Sequence, residues 1–98
     1  MKLRWTDIAN EDLDRLYRFR LGSSPDVADA VAAQAVIVGL RAAAKRLLDF
    51  PMSAPAYGAL RRMVWGPYAV YYRVSDDAIM ILRVRHGKEE PLDSDGGG

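Results

Sequence analysis

The residues of this chain that could do chemistry lie mostly in its last third. His86 is the only histidine, Arg83 and Arg85 come just before it, and Arg62 lies further upstream. Cleavage of RNA through the 2′-hydroxyl needs an acid or a base, together with cations for the charge that develops on phosphorus. Histidine can supply the former near neutral pH, and arginine can hold a phosphate by two parallel hydrogen bonds. The candidate catalytic residues are therefore His86, Arg83 and Arg62. The simpler alternative is that His86 closes the apolar face of its strand and bonds locally.

A second hypothesis concerns a surface for a partner. Arg83 and Arg85 are two residues apart in a β-like run, so we expect them to project from one face, about 7 Å apart. Strict alternation places Ile79 and Ile81 beside them, which would give a mixed apolar and basic patch of the kind that partners cover. The residues that we expect to contact a partner are Tyr71, Arg73, Ile79, Ile81, Arg83, Arg85 and Lys88.

A sheet must position these side chains. Alternating aromatic and β-branched residues predict three strands, and Gly66-Pro67 and Asp76-Asp77 have the composition of the turns between them. Met1 to Trp5 predicts a further short strand. The three later strands are expected at about 59–65, 68–75 and 78–86, after a loop at 51–58.

Two helices are predicted between the first strand and the rest. Thr6 or Asp7 would cap a helix that ends near Leu21, with Asp12 among the charged residues of its solvated side. Ser24, followed by Pro25, would cap a second helix that ends near Asp49. An apolar stripe runs along this second helix, formed by Val27, Val31, Ala35, Val38 and Ala42.

The expected order is β-α-α-β-β-β. It predicts an α+β fold of two layers, in which a helical hairpin covers an antiparallel β-sheet made of the short N-terminal strand and three C-terminal strands. Residues 1–88 would form one domain. Residues 89–98 would form an acidic, glycine-ending tail with too few apolar residues to order itself.

Composition excludes several classes of protein. The chain has 98 residues and no cysteine, so disulfides and thiolate metal sites are ruled out, and a single histidine without cysteine argues against a structural zinc site. No metal or cofactor is expected. No apolar run reaches the roughly 18 residues of a membrane span, and no signal peptide is recognisable, so a cytoplasmic protein is expected.

The net charge of +1 conceals an asymmetry, because residues 57–88 hold six basic and two acidic residues. The low net charge therefore does not exclude contact between this basic segment and nucleic acid.

Several short motifs, in order, resemble the RelE/ParE superfamily of toxins from type II toxin–antitoxin systems. They are Trp5-Thr6, Ser24-Pro25, Leu47 to Pro51, Gly66-Pro67-Tyr68, Tyr72-Arg73-Val74 and Ile81 to Gly87. The absence of lysine between residues 46 and 87, and Gly87 directly after His86, favour the ParE-like branch. The resemblance implies a toxin that inhibits DNA gyrase, contributes to plasmid stabilisation and forms a hetero-oligomer with a cognate, ParD-like antitoxin. The alternatives are a RelE-like, ribosome-dependent mRNA endoribonuclease and an inactive module that only binds its antitoxin.

Overall fold

The computed structural model describes residues 1–23 and 26–89, which form five strands and two helices in the expected order. The α+β fold class is thereby confirmed. A two-residue strand, β2, lies within the segment expected to be a loop. The elements are β1 Lys2–Trp5, α1 Asp7–Leu21, α2 Val27–Arg46, β2 Ala56–Tyr57, β3 Leu60–Trp65, β4 Tyr68–Val74 and β5 Ala78–His86.

The ends of both helices follow from local hydrogen bonding. Thr6 caps α1 as expected, since its hydroxyl accepts from the Ala9 N–H at 3.0 Å. The cap of α2 is Asp26 and not Ser24, because Asp26 and Asp29 each bond the other's backbone N–H in a capping box. Ser24, Pro25 and all of the expected tail beyond residue 89 lie outside the described residues. α2 also ends earlier than expected, because residues 47–49 form tighter turns in which each N–H bonds the carbonyl three residues back.

The sheet is mixed. Its strand order is β1-β5-β4-β3-β2, in which β1 runs parallel to β5 and the other neighbouring strands are antiparallel. The expectation of a wholly antiparallel sheet is therefore wrong for β1. Strands joined by a short hairpin must be antiparallel, whereas β1 and β5 are separated by both helices and three strands and can pair in parallel. β1 pairs only with the first half of β5, from Ala78 to Ile81, so the second half of β5 extends beyond its neighbour.

One face of the sheet is covered by the helical hairpin, and among the described residues no helix lies on the other. The core between the layers is formed by alternate residues of the strands and by the inner faces of both helices. Its fully buried members include Leu13, Leu16, Leu40, Val70, Tyr72, Ile79, Ile81 and Val84.

The apolar stripe of α2 points away from this core. Val27, Val31 and Val38 are 81%, 64% and 56% exposed, and Ala35 and Ala42 are exposed in line with them. The packed face of the helix is the opposite one, formed by Ala33, Leu40, Ala43 and Ala44. α2 is therefore apolar on two sides. By length and composition alone it could cross a membrane, but one of its two apolar sides packs against its own domain.

Gly39 allows α2 to approach the sheet closely. A Cβ at this position would lie 2.3 Å from the nearest carbon of the Trp65 ring, far closer than van der Waals contact. The indole occupies the space that any other residue at position 39 would fill.

We predict that Gly39→Ala destabilises the protein. The clash with Trp65 costs about 1–3 kcal/mol, which outweighs the roughly 1 kcal/mol that alanine gains over glycine within a helix. The free energy of unfolding in urea, followed by circular dichroism, should fall by up to about 2 kcal/mol. In a Trp65→Leu background the same substitution should stabilise the protein. A loss of equal size in both backgrounds would contradict the role assigned to the indole.

Candidate functional site

A β-bulge in β5 decides which side chains face a partner. Tyr71 pairs with Arg83 and Tyr72 with Ile81, so Leu82 is an extra residue without a partner on β4. One extra residue reverses the alternation of every side chain beyond it. Ile79 and Ile81 therefore face the helices and are fully buried, whereas Arg83 and Arg85 lie on the helix-free face. The expectation that these four residues share one outward patch is wrong.

Tyr71 does lie on the helix-free face, yet only 1% of it is exposed. The ring of Tyr57, from the unexpected strand β2, packs edge-on against it at a centroid distance of 5.3 Å. The Arg62 guanidinium in turn lies over Tyr57, 4.7 Å from the ring centroid. Tyr71 therefore belongs to a small aromatic cluster and cannot make the exposed partner contact that was expected.

The helix-free face of the sheet carries cationic residues on four of its strands, and we call it the basic face. Strand pairing sets Arg62 and Arg83 on either side of Tyr71, and Arg4 and Arg73 on either side of Met80. Adjacent strands are about 4.8 Å apart, so the backbones of each flanking pair are about 10 Å apart. The basic face comprises Lys2, Arg4, Arg62, Arg73, Arg83 and Arg85.

Asp12 of α1 holds one of these arginines in place. Its carboxylate, 2% exposed, accepts from Arg83 Nε at 2.8 Å and Arg83 Nη2 at 3.2 Å, and from the backbone N–H of Val84 at 2.9 Å. Arg15, one helical turn further on, also donates to it. The expectation that Asp12 lies on a solvated helix surface is wrong. A carboxylate in a run of charged residues gives no sign that it contacts a strand.

Asp12 is one of several side chains that form hydrogen bonds with the backbone of β5 where this strand extends beyond β1. The Thr6 hydroxyl donates to the Leu82 carbonyl at 3.2 Å, and Arg15 Nη2 donates to the Val84 carbonyl at 3.3 Å. The Glu89 carboxylate accepts from the His86 N–H at 2.9 Å and from Arg15 at 3.0 Å. Polar side chains thus take the place of a neighbouring strand along an edge that would otherwise be open to pairing.

The pKa values of the two carboxylates follow from these contacts. Burial raises the pKa of Asp12, but hydrogen bonds from Arg83, Val84 and Arg15 outweigh burial, so that the pKa lies below its ordinary value. The pKa of Glu89 is also lowered: burial raises it, whereas bonds from the His86 N–H and Arg15 lower it by more. Both groups therefore stabilise the fold in their charged form.

His86 lies on the opposite side of the sheet from the basic face. It pairs with the core residue Tyr68, whose ring meets the imidazole edge-on at 5.2 Å, and Phe19 of α1 lies 6.1 Å away. Its Nδ1 accepts from the Lys88 N–H at 3.0 Å. The imidazole also borders a cavity of about 260 Å³, which it shares with Leu16 and Phe19.

The three candidate catalytic residues are consequently not brought together. Arg62 and Arg83 flank Tyr71 on the basic face, whereas His86 is directed toward the helices. Of the expected partner contacts, Arg73 and Lys88 are exposed and Arg85 is partly exposed. Arg85 lies 3.8 Å from Glu89. Within residues 1–23 and 26–89, no group of three or more side chains is arranged to hold a metal ion.

Comparison with known proteins gives one family and a consistent set of relatives. The family model described as the ParE toxin of type II toxin–antitoxin systems, parDE, matches residues 3–91. The chain is 32% identical over 93 residues to Toxin ParE2 of Mycobacterium tuberculosis, in two strains, which covers 92% of this chain and 85% of that protein.

Two solved structures share the fold. The chromosomal ParDE toxin–antitoxin system from P. aeruginosa matches with a TM-score of 0.74 and 23% identity, over 88% of this chain and 95% of that one. The toxin–antitoxin complex RelBE2 from Mycobacterium tuberculosis matches with a TM-score of 0.61 and 20% identity, over 87% and 95% of the two chains.

We predict that Asp12→Asn destabilises the protein and flattens its response to acid. The substitution leaves Arg83 and Arg15 without their shared anion, which should cost about 3 kcal/mol at pH 7. Because the folded-state pKa of Asp12 is lowered, its stabilisation is complete above the ordinary value of 3.8 and is lost as the pH falls below it. Urea unfolding at several pH values between 7 and 2.5 measures both effects.

Asp14→Asn is the matched control, since Asp14 lies exposed on the same helix. It should change the free energy of unfolding by less than about 0.5 kcal/mol. Parallel pH curves for the original protein and for Asp12→Asn would contradict the assignment.

Proposed function

The chain belongs to the ParE toxin family of type II toxin–antitoxin systems, and from this premise we propose that it inhibits DNA gyrase by binding and is neutralised by a cognate, ParD-like antitoxin. The membership makes it a type II toxin. The target, the mode of inhibition and the identity of the antitoxin are the parts that we propose.

The separation of His86 from the basic face is the observation that favours binding over RNA cleavage. General acid–base catalysis requires the proton-transferring group within about 3 Å of the reacting atoms, either directly or through one water. A phosphate held by Arg62 on the basic face would have the thickness of the sheet between itself and the imidazole. Arg83 is moreover already bonded to Asp12.

The mRNA endoribonuclease remains the second candidate. The RelBE2 complex has a similar fold, and the basic face has the charge that an RNA strand requires. A nuclease would have to use a proton-transferring group other than His86 at this face. A third outcome, a module that binds antitoxin and nothing else, would show neither activity.

The exposed stripe of α2 is the surface that we assign to the antitoxin. Its valines repeat at intervals of four and seven residues, which is the spacing that an amphipathic partner helix covers. Three β-branched apolar side chains exposed in one line form a continuous patch of the kind that monomeric proteins rarely leave uncovered. Both solved neighbours are parts of toxin–antitoxin systems, which supports an antitoxin as the occupant.

We predict that the purified toxin traps gyrase on cleaved DNA and leaves mRNA intact. Gyrase supercoiling and cleavage would be measured beside ribosome-dependent mRNA cleavage, with the same toxin preparation. His86→Ala should retain gyrase inhibition, since the imidazole faces the helices.

Cut mRNA with gyrase unaffected would overturn the proposed target. Loss of that cleavage in His86→Ala would then show that the imidazole reaches the substrate despite its position. No effect in either assay, from a toxin that still binds its antitoxin, would identify the binding-only module.

We predict that Val31→Glu weakens antitoxin binding at least tenfold, because a charge would then be buried at the centre of an apolar contact. The probe is the product of the open reading frame directly upstream, and binding would be measured by calorimetry. The fold should be unaffected, since Val31 is 64% exposed.

Ala59→Glu is the control for charge, because Ala59 is exposed in the turn between β2 and β3, in the sheet layer and outside the stripe. It should change the affinity by less than about threefold. Equal losses for the two variants, or none for Val31→Glu, would place the antitoxin elsewhere.

A further inference from the structure

The basic face is the part of the fold for which a protein partner is least suited. The outward-facing positions of β1, β5, β4 and β3 carry six cationic and no acidic side chains. The large aromatic residue at its centre, Tyr71, is already covered by Tyr57. Its apolar side chains are few: Met80 lies partly exposed between Arg4 and Arg73, and Val64 is exposed at the end of β3, so that charge predominates over apolar contact area.

Within the part of the chain that the structure describes, most of these cations have no acidic partner. Among the described residues, Arg83 is paired with Asp12 and Arg85 lies near Glu89, whereas Lys2, Arg4, Arg62 and Arg73 form no ion pair. Lys2, Arg4 and Arg73 are exposed as well. Four cations are thus available to an anion on one side of a chain whose net charge is only +1.

The arrangement of the cations distinguishes between two anionic partners. An acidic peptide in an extended conformation presents its carboxylates along a line, whereas these cations lie on four strands and span about 15 Å across the sheet. A duplex carries about nine phosphate charges in 15 Å of its axis, spread over two backbones. Arginines, which predominate on this face, match phosphate geometry by two parallel hydrogen bonds.

We infer that the basic face binds the phosphate backbone of duplex DNA without reading its sequence. The side chains that make the contact are Lys2, Arg4, Arg62 and Arg73, while Asp12 fixes Arg83 at the border of the face. The apolar stripe of α2 stays free on the opposite side of the domain. This contact goes beyond the proposed inhibition of gyrase, and a toxin bound to gyrase would use it on the DNA that gyrase holds.

Fluorescence anisotropy of a labelled 30-base-pair duplex, with the purified full-length toxin and no gyrase, tests the inference. Four phosphate contacts predict a slope of about −3.6 for the logarithm of the binding constant against the logarithm of salt concentration. Affinity should therefore fall on the order of 100-fold between 50 and 200 mM NaCl.

The double variant Arg4→Gln/Arg73→Gln removes two of the contacts. Its affinity at 50 mM NaCl should fall at least tenfold and its salt slope should halve, to about −1.8. The matched control is Arg18→Gln/Arg46→Gln, which removes the same charge from exposed positions on the helices. The control should retain the slope of the original toxin, and thermal unfolding of each variant verifies that it is folded.

Three results would overturn the inference. One is the absence of DNA binding at 50 mM NaCl, and another is an equal loss of affinity in both double variants. The third is tighter binding, by tenfold or more, of a single-stranded RNA of the same sequence, which would assign the face to RNA. Because gyrase is absent from the assay, a negative result leaves the proposed target untouched. Failure to inhibit gyrase would likewise leave DNA binding standing.

Discussion

The buried carboxylate of Asp12 connects the helical layer to the sheet at the point where the sheet is least complete. β5 is longer than β1, so the residues beyond Ile81 lack a neighbouring strand on that side. A single side chain from α1 bonds the Val84 N–H and two arginines there. A buried anion is tolerated only when its partners are present, so helix, strand and cations are fixed together. Removing the carboxylate would leave both the Val84 N–H and Arg83 without their acceptor.

The β-bulge at Leu82 acts on the same stretch of chain and gives the sheet its two distinct sides. Before it, β5 sends Ile79 and Ile81 into the core; after it, Arg83 and Arg85 turn to the opposite face while Val84 and His86 stay with the helices. The imidazole and the arginines adjacent to it in sequence are thereby kept apart. This separation is the observation on which the proposal of a toxin that acts by binding rests.

The two surfaces left uncovered have opposite chemistry. The α2 stripe is apolar and linear, which suits a helix of an antitoxin, and the basic face is charged and broad, which suits a polyanion. Because they lie on opposite layers of a two-layer domain, occupation of one does not block the other by contact. A toxin with these two separate surfaces could bind nucleic acid and protein at the same time.

The sequence by itself determined the order of the elements, the two layers, the cap at Thr6 and the family, because these depend on local periodicity, capping and short motifs. Only the tertiary structure decided which residues face outward. Strict alternation predicted that Ile79, Ile81 and Tyr71 are exposed. The unpaired residue in β5 instead directs both isoleucines into the core, and the ring of Tyr57 covers Tyr71. Asp12 was missed for the same physical reason: burial of a charge depends on donors from a strand some seventy residues away, and local sequence contains no record of that contact.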